Sequence, residues 1–249
     1  MGGRFVRAMA GASAFVLCAM LSPALAQSRD LGKVFSDALH QRLPGDTRQL
    51  SSAEVSDGLK EALSVAAERA SSRLGARDGF FEDPEVRIGL PGVLVGVQSR
   101  LRPFGMSGPL DDLELRVNRG AEAAMPAAKK LVVDAIRSMT IEDAMSVLRG
   151  DDTAATQLLR SKTEVGLKQA LSPYVESALS DAGALRAADS VVNRYARGLV
   201  DAEPRDIIIT HAVDGAVEGL FHYVASEELA IRRDPVKRTS EILRKVFGG

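Results

Sequence analysis

The chain has 249 residues, 45% hydrophobic, 26% charged and only 4% aromatic, with no Trp and a single Cys. This is the composition of a folded globular protein, and it excludes a disordered or collagen-like chain. With 32 basic against 33 acidic residues, no cationic excess argues for a nucleic-acid partner. The core must be built from Leu, Val, Ile and Ala, and the richness in Ala favours helix.

Residues 1–26 read as a secretory signal peptide. Arg4 and Arg7 give a positive start, Ala8 to Leu21 is an uncharged apolar stretch, and Ser22-Pro23 breaks it ahead of Ala24-Leu25-Ala26, an A-x-A cleavage site. The apolar stretch is shorter than the roughly 20 residues that a membrane span requires, and the bulky Leu17 before Cys18 argues against lipidation. The expectation is an exported, periplasmic chain beginning at Gln27, with residues 27–249 forming one domain. Cleavage removes Cys18, the only cysteine. In an oxidising compartment that excludes a disulfide framework, a thiolate zinc site and a cysteine nucleophile together.

The first helix signal after Gln27 is Leu31, Val34, Phe35, Leu39 and Leu43 at three-to-four spacing, ending before Pro44-Gly45. Ser51-x-x-Glu54 is a capping box, followed by the stripe Val55, Leu59, Leu63, Ala66, Ala70 and Leu74 up to Gly75. Periodicity disappears from Ala76 to Pro91, which predicts a long structured loop. Pro91 opens a short helix carrying Leu94, Val97 and Leu101, and Gly105 to Pro109 is a turn. An amphipathic helix follows, with Leu110, Leu113, Val117, Ala121 and Ala124 on one face and Asp111, Asn118, Arg119 and Glu122 roughly opposite.

Pro126 marks a kink or a new start leading to Leu131, Val132, Ala135 and Ile136. Thr140-x-x-Asp143 resembles a cap for a short helix closed by Gly150. Another helix starts at Asp151-Asp152-Thr153, and Pro173 is expected to restart it. Gly183 precedes a segment with Leu185, Val191, Val192 and Tyr195, Asp206 caps a long run to Ile231, and Asp234-Pro235 opens a terminal helix over 235–247. The expected fold is all-α: a single multi-helix bundle of about eight to ten helices without a substantial sheet.

Linear catalytic motifs are missing: the chain has no phosphate-binding glycine loop, H-E-x-x-H, G-x-S-x-G or S-x-x-K. Three constellations remain. His211, Asp214, Glu218 and His222 share one stripe of the long helix and have metal-ligand chemistry. Ile209, Val213, Ala216, Leu220 and Val224 occupy the opposite face, however, so the stripe is expected to meet water, and bundle metal sites project inward. No metal or cofactor is expected. In the loop, Phe80, Phe81, Glu82, Asp83, Glu85 and Arg87 form a candidate binding rim; the competing reading makes one Phe a core anchor, Pro84 a stiff turn and Arg87 the partner of an acid. At the C-terminus Arg232, Arg233, Lys237, Arg238, Arg244 and Lys245 give the last segment a net positive charge against an acidic body. They offer a contact for an anionic membrane surface, or a solvated face of a docked helix.

Six runs of residues suggest a family: GLKEAL (58–63), GFFEDPEVRIGLP (79–91), DDLELRVNRGAEAAMP (111–126), VDAIRSMTIEDA (133–144), GDDTAATQLLRSKT (150–163) and RRDPVKRTSEILRKVFG (232–248). In that order they resemble the bacterial exported family called domain of unknown function 4197. The resemblance implies a helical, signal-bearing envelope protein and brings no accepted activity, cofactor or catalytic residue. The reading is thus a non-catalytic binding or scaffolding module, with another envelope protein or an anionic membrane surface as partner. The alternatives are a periplasmic hydrolase or metalloenzyme using scattered Asp, Glu and His, or a carrier of an apolar ligand.

Overall fold

Helix boundaries follow from local chemistry. The Ser51 hydroxyl accepts the Glu54 amide at 3.3 Å while the Glu54 carboxylate accepts the Ser51 amide at 2.8 Å, which starts α1 (Ser52–Leu74). The same box between Thr140 and Asp143, at 3.0 Å in both directions, starts α4 (Ile141–Arg149). Between them lie α2 (Gly92–Leu101), a 3-10 turn (Arg102–Phe104) and α3 (Gly108–Arg137); after α4 come α5 (Ala154–Leu179) and α6 (Pro204–Arg233). The computed structural model describes residues 51–180, 190 and 204–233. All of them fall in one compact unit, Gly45–Gly249. The signal segment 1–26, the expected helix over 31–43, the segment around Leu185 to Tyr195 and the basic helix 235–247 lie outside the described residues.

The architecture is all-helical, with no strand among the described residues. It corrects the expected count of eight to ten: six α-helices are found among the described residues, where Pro126, read as a kink or a new start, and Pro173, expected to restart a helix, both lie inside continuous ones, while three other expected helices lie outside the described residues. Pro126 sits within α3 and Pro173 within α5. A proline inside a helix costs about 3 kcal/mol locally. Both rings are exposed, and the buried stripe runs past each in register: Val117, Ala121, Ala124 and Met125 before Pro126, then Ala128, Val132 and Ile136 after it. Burial on both sides outweighs the local penalty, since each fully buried aliphatic side chain contributes about 1.5–3 kcal/mol.

The four long helices form a ring in which α1 packs on α3, α3 on α5, α5 on α6 and α6 on α1, with α3 and α6 also touching. α3 passes close to α5 at Gly120, where a Cβ would stand 2.9 Å from Val175 Cα. Leu59, Leu74, Leu113, Val117, Leu159, Leu167, Leu171, Ala216 and Leu220 fill the interior. A gap bordered by Leu59, Leu63, Val147 and Ile231 measures about 10 Å³, no larger than one water needs. The short α4 packs on α1 and α5, and α2 on α3. No helix among the described residues is long and apolar enough to cross a membrane.

Candidate functional site

The loop from Ala76 to Pro91 carries no regular secondary structure beyond turns, so its buried backbone groups need partners. Helix α3 supplies them. Asp111, Glu114, Asn118 and Glu122 recur at i, i+3, i+7 and i+11, one stripe at about 100° per residue. The sequence suggests a polar outer face here, but Glu114, Asn118 and Glu122 are buried, and the face they form is covered by the loop.

The Glu122 carboxylate accepts the amides of Phe80 at 3.2 Å and Phe81 at 3.4 Å. Arg119 bridges Glu122 to Asp78, which stands in the left-handed region at φ 67°, a conformation Asp tolerates better than most residues. These two carboxylates raise the pKa of Arg119, the Glu122 hydrogen bond contributing most. Asn118 pairs with the backbone of Ile88 in both directions, accepting its N–H at 2.9 Å and donating to its C=O at 2.8 Å. It also donates to the Glu114 carbonyl. Glu114 in turn accepts Arg87 at 2.9 Å and Gln98 at 3.0 Å.

On its other side the loop is seated on α6. Phe80 is wholly buried against Gly219, where a Cβ would fall 2.6 Å from its ring, and Ile88 rests on Gly215. Asp83 receives the Tyr223 hydroxyl and, at 2.9 Å, the Arg73 guanidinium. Arg73 also lies over the Tyr223 ring, 4.2 Å from its centroid. The Tyr223 hydrogen bond is the main reason the Asp83 carboxyl is held below its usual range, whereas burial pushes the Tyr223 hydroxyl up.

The six loop residues singled out in the sequence therefore divide. Phe80 is a core anchor. Asp83 is a tether. Phe81 is half-buried under the Arg87 guanidinium at 4.2 Å, and Glu82, Glu85 and Arg87 are exposed. In the α6 stripe, His211 and His222 are exposed, Asp214 pairs with Lys168 at 3.0 Å and Glu218 with Arg160. His211 Nε2 lies 2.9 Å from the Gly89 carbonyl. No group of three or more metal-ligating side chains converges among the described residues.

The tertiary structure nevertheless brings parts of both constellations to one place. Glu85, Arg87 and Gly89 face His211, Glu218 and His222 across a groove of about 340 Å³ above Gly215 and Gly219. A larger open depression of about 610 Å³ is lined by Ser52, Ile141, Glu142, Met145, Ser146 and Arg149.

The basic C-terminal set is also redistributed. The Arg232 side chain, expected at the surface, is only 8% exposed: it donates to Glu228 at 2.9 Å and to the Val147 carbonyl at 2.8 Å. Glu228 spends its remaining capacity on the Ala155 and Thr156 amides, both at 2.9 Å. It thus caps α5 in place of a local side chain and sits where a helix N-terminus favours an anion. Arg233 pairs with Asp152 at the surface, and Lys237, Arg238, Arg244 and Lys245 lie outside the described residues. Sequence reasoning missed Glu114 and Glu228, whose acidic side chains gave no local sign of burial.

Neither a comparison with curated proteins nor one with solved structures finds a match. A family model described as "Protein of unknown function (DUF4197)" matches residues 49–248, a stretch that contains the whole helical ring, the pinned loop and the α6 groove, and the chain belongs to that family.

Proposed function

We propose that the protein is an exported, non-catalytic binding or scaffolding module of the cell envelope, and that the loop over 76–91 is the surface it presents to a partner. The observation that carries this reading is the way the loop is held. Glu122, Asn118, Arg119 and Glu114 from α3, Tyr223 from α6 and Arg73 from α1 all fasten it. A segment so fully tethered presents Glu82, Glu85, Arg87 and the edge of Phe81 in fixed positions, and ordered loops on rigid scaffolds are where recognition concentrates. Most of the loop's polar contacts are spent on its own backbone and on Arg partners, which suits a recognition surface better than acid–base work. Export rests on the signal-peptide pattern of residues 1–26.

Site-specific photo-cross-linking in intact cells tests the reading. A photoreactive residue at Glu82 or Glu85 should give a discrete adduct, and one at the exposed Lys130 on α3 should not. Equal labelling at both places would count against it, as would a signal sequence that fails to direct a reporter out of the cytoplasm.

A second reading, a hydrolase or metal-assisted enzyme, has one observation in its favour: the groove gathers His211, His222, Glu218 and Glu85. Turnover in a broad hydrolase screen, abolished by a His211→Ala, His222→Ala double substitution, would establish it.

A further inference from the structure

From Gly92 to Leu110 the chain contains Arg100 and Arg102 and no acidic residue. This stretch forms α2, the 3-10 turn and the approach to α3, a helical hairpin in which Leu94 is buried while Val95 is 41% exposed. Its tip carries Phe104 at 77% and Met106 at 64% exposure. Two large apolar side chains side by side in water are unusual where nothing covers them.

The tip is a fixed shape. Gly105 adopts φ 67°, its amide donates to the Arg102 carbonyl at 3.0 Å, and the Met106 amide donates to the Leu101 carbonyl at 3.2 Å. That pair of bonds is the Schellman arrangement, which requires a residue at ease in the left-handed region. It also means that the amides of Gly105 and Met106 are satisfied within the turn, a condition for those groups to enter an apolar medium without being orphaned.

At the surface, the tip and the start of α3 carry a net positive charge, Arg100, Arg102 and Arg116 against Asp111 and Asp112, Glu114 being buried. Arg100 is exposed and makes no ion pair among the described residues; Arg102 is 64% exposed with only a 3.4 Å contact to Asp111. Asp112 is paired with Arg116 at 2.7 Å, and Asp111, which accepts Ser107 at 2.7 Å and Gln98 at 2.8 Å, offsets part of the Arg102 charge and leaves Arg100 as the net cation.

We propose that this tip docks on an anionic lipid surface, Phe104 and Met106 entering the headgroup–acyl boundary while Arg100 and Arg102 meet lipid phosphates. An aromatic and a flexible apolar side chain flanked by Arg is the chemistry of interfacial anchoring. The proposal moves the membrane contact away from the C-terminal basic run, where Arg232 is buried and Arg233 paired. It is independent of the loop reading, which concerns the segment leading into the other end of α2.

The chain has no Trp, so Phe104→Trp supplies a single fluorescent reporter at the tip. The purified chain, as the cell produces it, is titrated with vesicles of phosphatidylcholine alone and with added phosphatidylglycerol. Anionic vesicles should bind it, shift the reporter to the blue and allow quenching by brominated lipid. Either pair, Phe104→Ser with Met106→Ser or Arg100→Gln with Arg102→Gln, should weaken binding about tenfold or more. Substituting Lys237, Arg238, Arg244 and Lys245 together by Gln should leave it intact. Any of three results overturns the proposal: no binding to anionic vesicles, binding that ignores the tip pairs but follows the C-terminal substitution, or a reporter that changes only with protein concentration. The last would make the tip a contact between copies of the chain.

Discussion

The sharpest test of the pinned loop is Asn118→Ala. Asn118 is fully buried and holds both backbone groups of Ile88, at 2.9 and 2.8 Å, in a place where Ile88 itself is only 4% exposed. Alanine would leave an amide and a carbonyl buried without partners, each costing about 1–3 kcal/mol. The expected loss is therefore about 2–6 kcal/mol from a total that for most domains is about 5–15 kcal/mol. In urea, with a slope of about 1–3 kcal/mol per molar, the midpoint should fall by about 0.7 M or more. The Ile88 amide should at the same time lose its protection from hydrogen exchange. Asn118→Asp keeps an acceptor for the Ile88 amide but turns a carboxylate towards two carbonyls, so at neutral pH it should be at least as damaging and should partly recover on acidification. A loss below about 1 kcal/mol for the alanine variant, with unchanged exchange at Ile88, would refute the view that α3 organises the loop.

Three further outcomes are expected. Gly219→Ala places a methyl 2.6 Å from the Phe80 ring and 3.2 Å from Val86 Cβ, so overpacking should cost about 1–3 kcal/mol; Gly166→Ala, with nothing within 4 Å, should instead stabilise α5 by up to about 1 kcal/mol, and thermal melts of the two should move in opposite directions. Glu228→Ala takes the carboxylate from Arg232 and from the first amides of α5, and losing one side of a buried pair costs about 3–5 kcal/mol; a melting temperature within a degree or two of the parent would show that the clamp is dispensable. The carboxyls of Asp83, Asp111 and Asp143 are held below the usual range, chiefly by hydrogen bonds from Tyr223, Ser107 and Lys162 respectively. A depressed folded pKa contributes stability that is fully present above the unfolded value, about 3.9, and is lost as pH falls through the folded one. The urea midpoint should accordingly be flat near neutrality and drop below about pH 4, with a shallower drop in Asp83→Asn; an unchanged slope in that variant would remove Asp83 from the account.

Local chemistry was readable residue by residue. Ser51 with Glu54 and Thr140 with Asp143 start helices where their spacing says they should, and Gly105 turns the chain as its position before Pro109 suggests. Pro173 misled, and Pro126 left a kink and a new start both open, because a proline reports a local penalty and carries no information about the burial on either side that outweighs it. Of the two adjacent phenylalanines, only the placement of Gly219 on a helix some 140 positions away in the chain makes Phe80 the anchor and leaves Phe81 at the edge. Arg232 read as a surface cation because its neighbours are basic; Glu228 one turn earlier and the open N-terminus of α5 draw it inside.

The sequence by itself determined that the chain is helical, where several of its helices begin and end, that 76–91 is irregular, and to which family it belongs. The helical period decides which side chains share a face, and that much is encoded within a few residues. Whether a polar face meets water or another part of the chain is a matter of the tertiary structure alone. The free energy of Glu114, Asn118, Glu122 or Glu228 depends on whether a distant segment arrives with matching donors and acceptors, and only the assembled helices bring those segments to them.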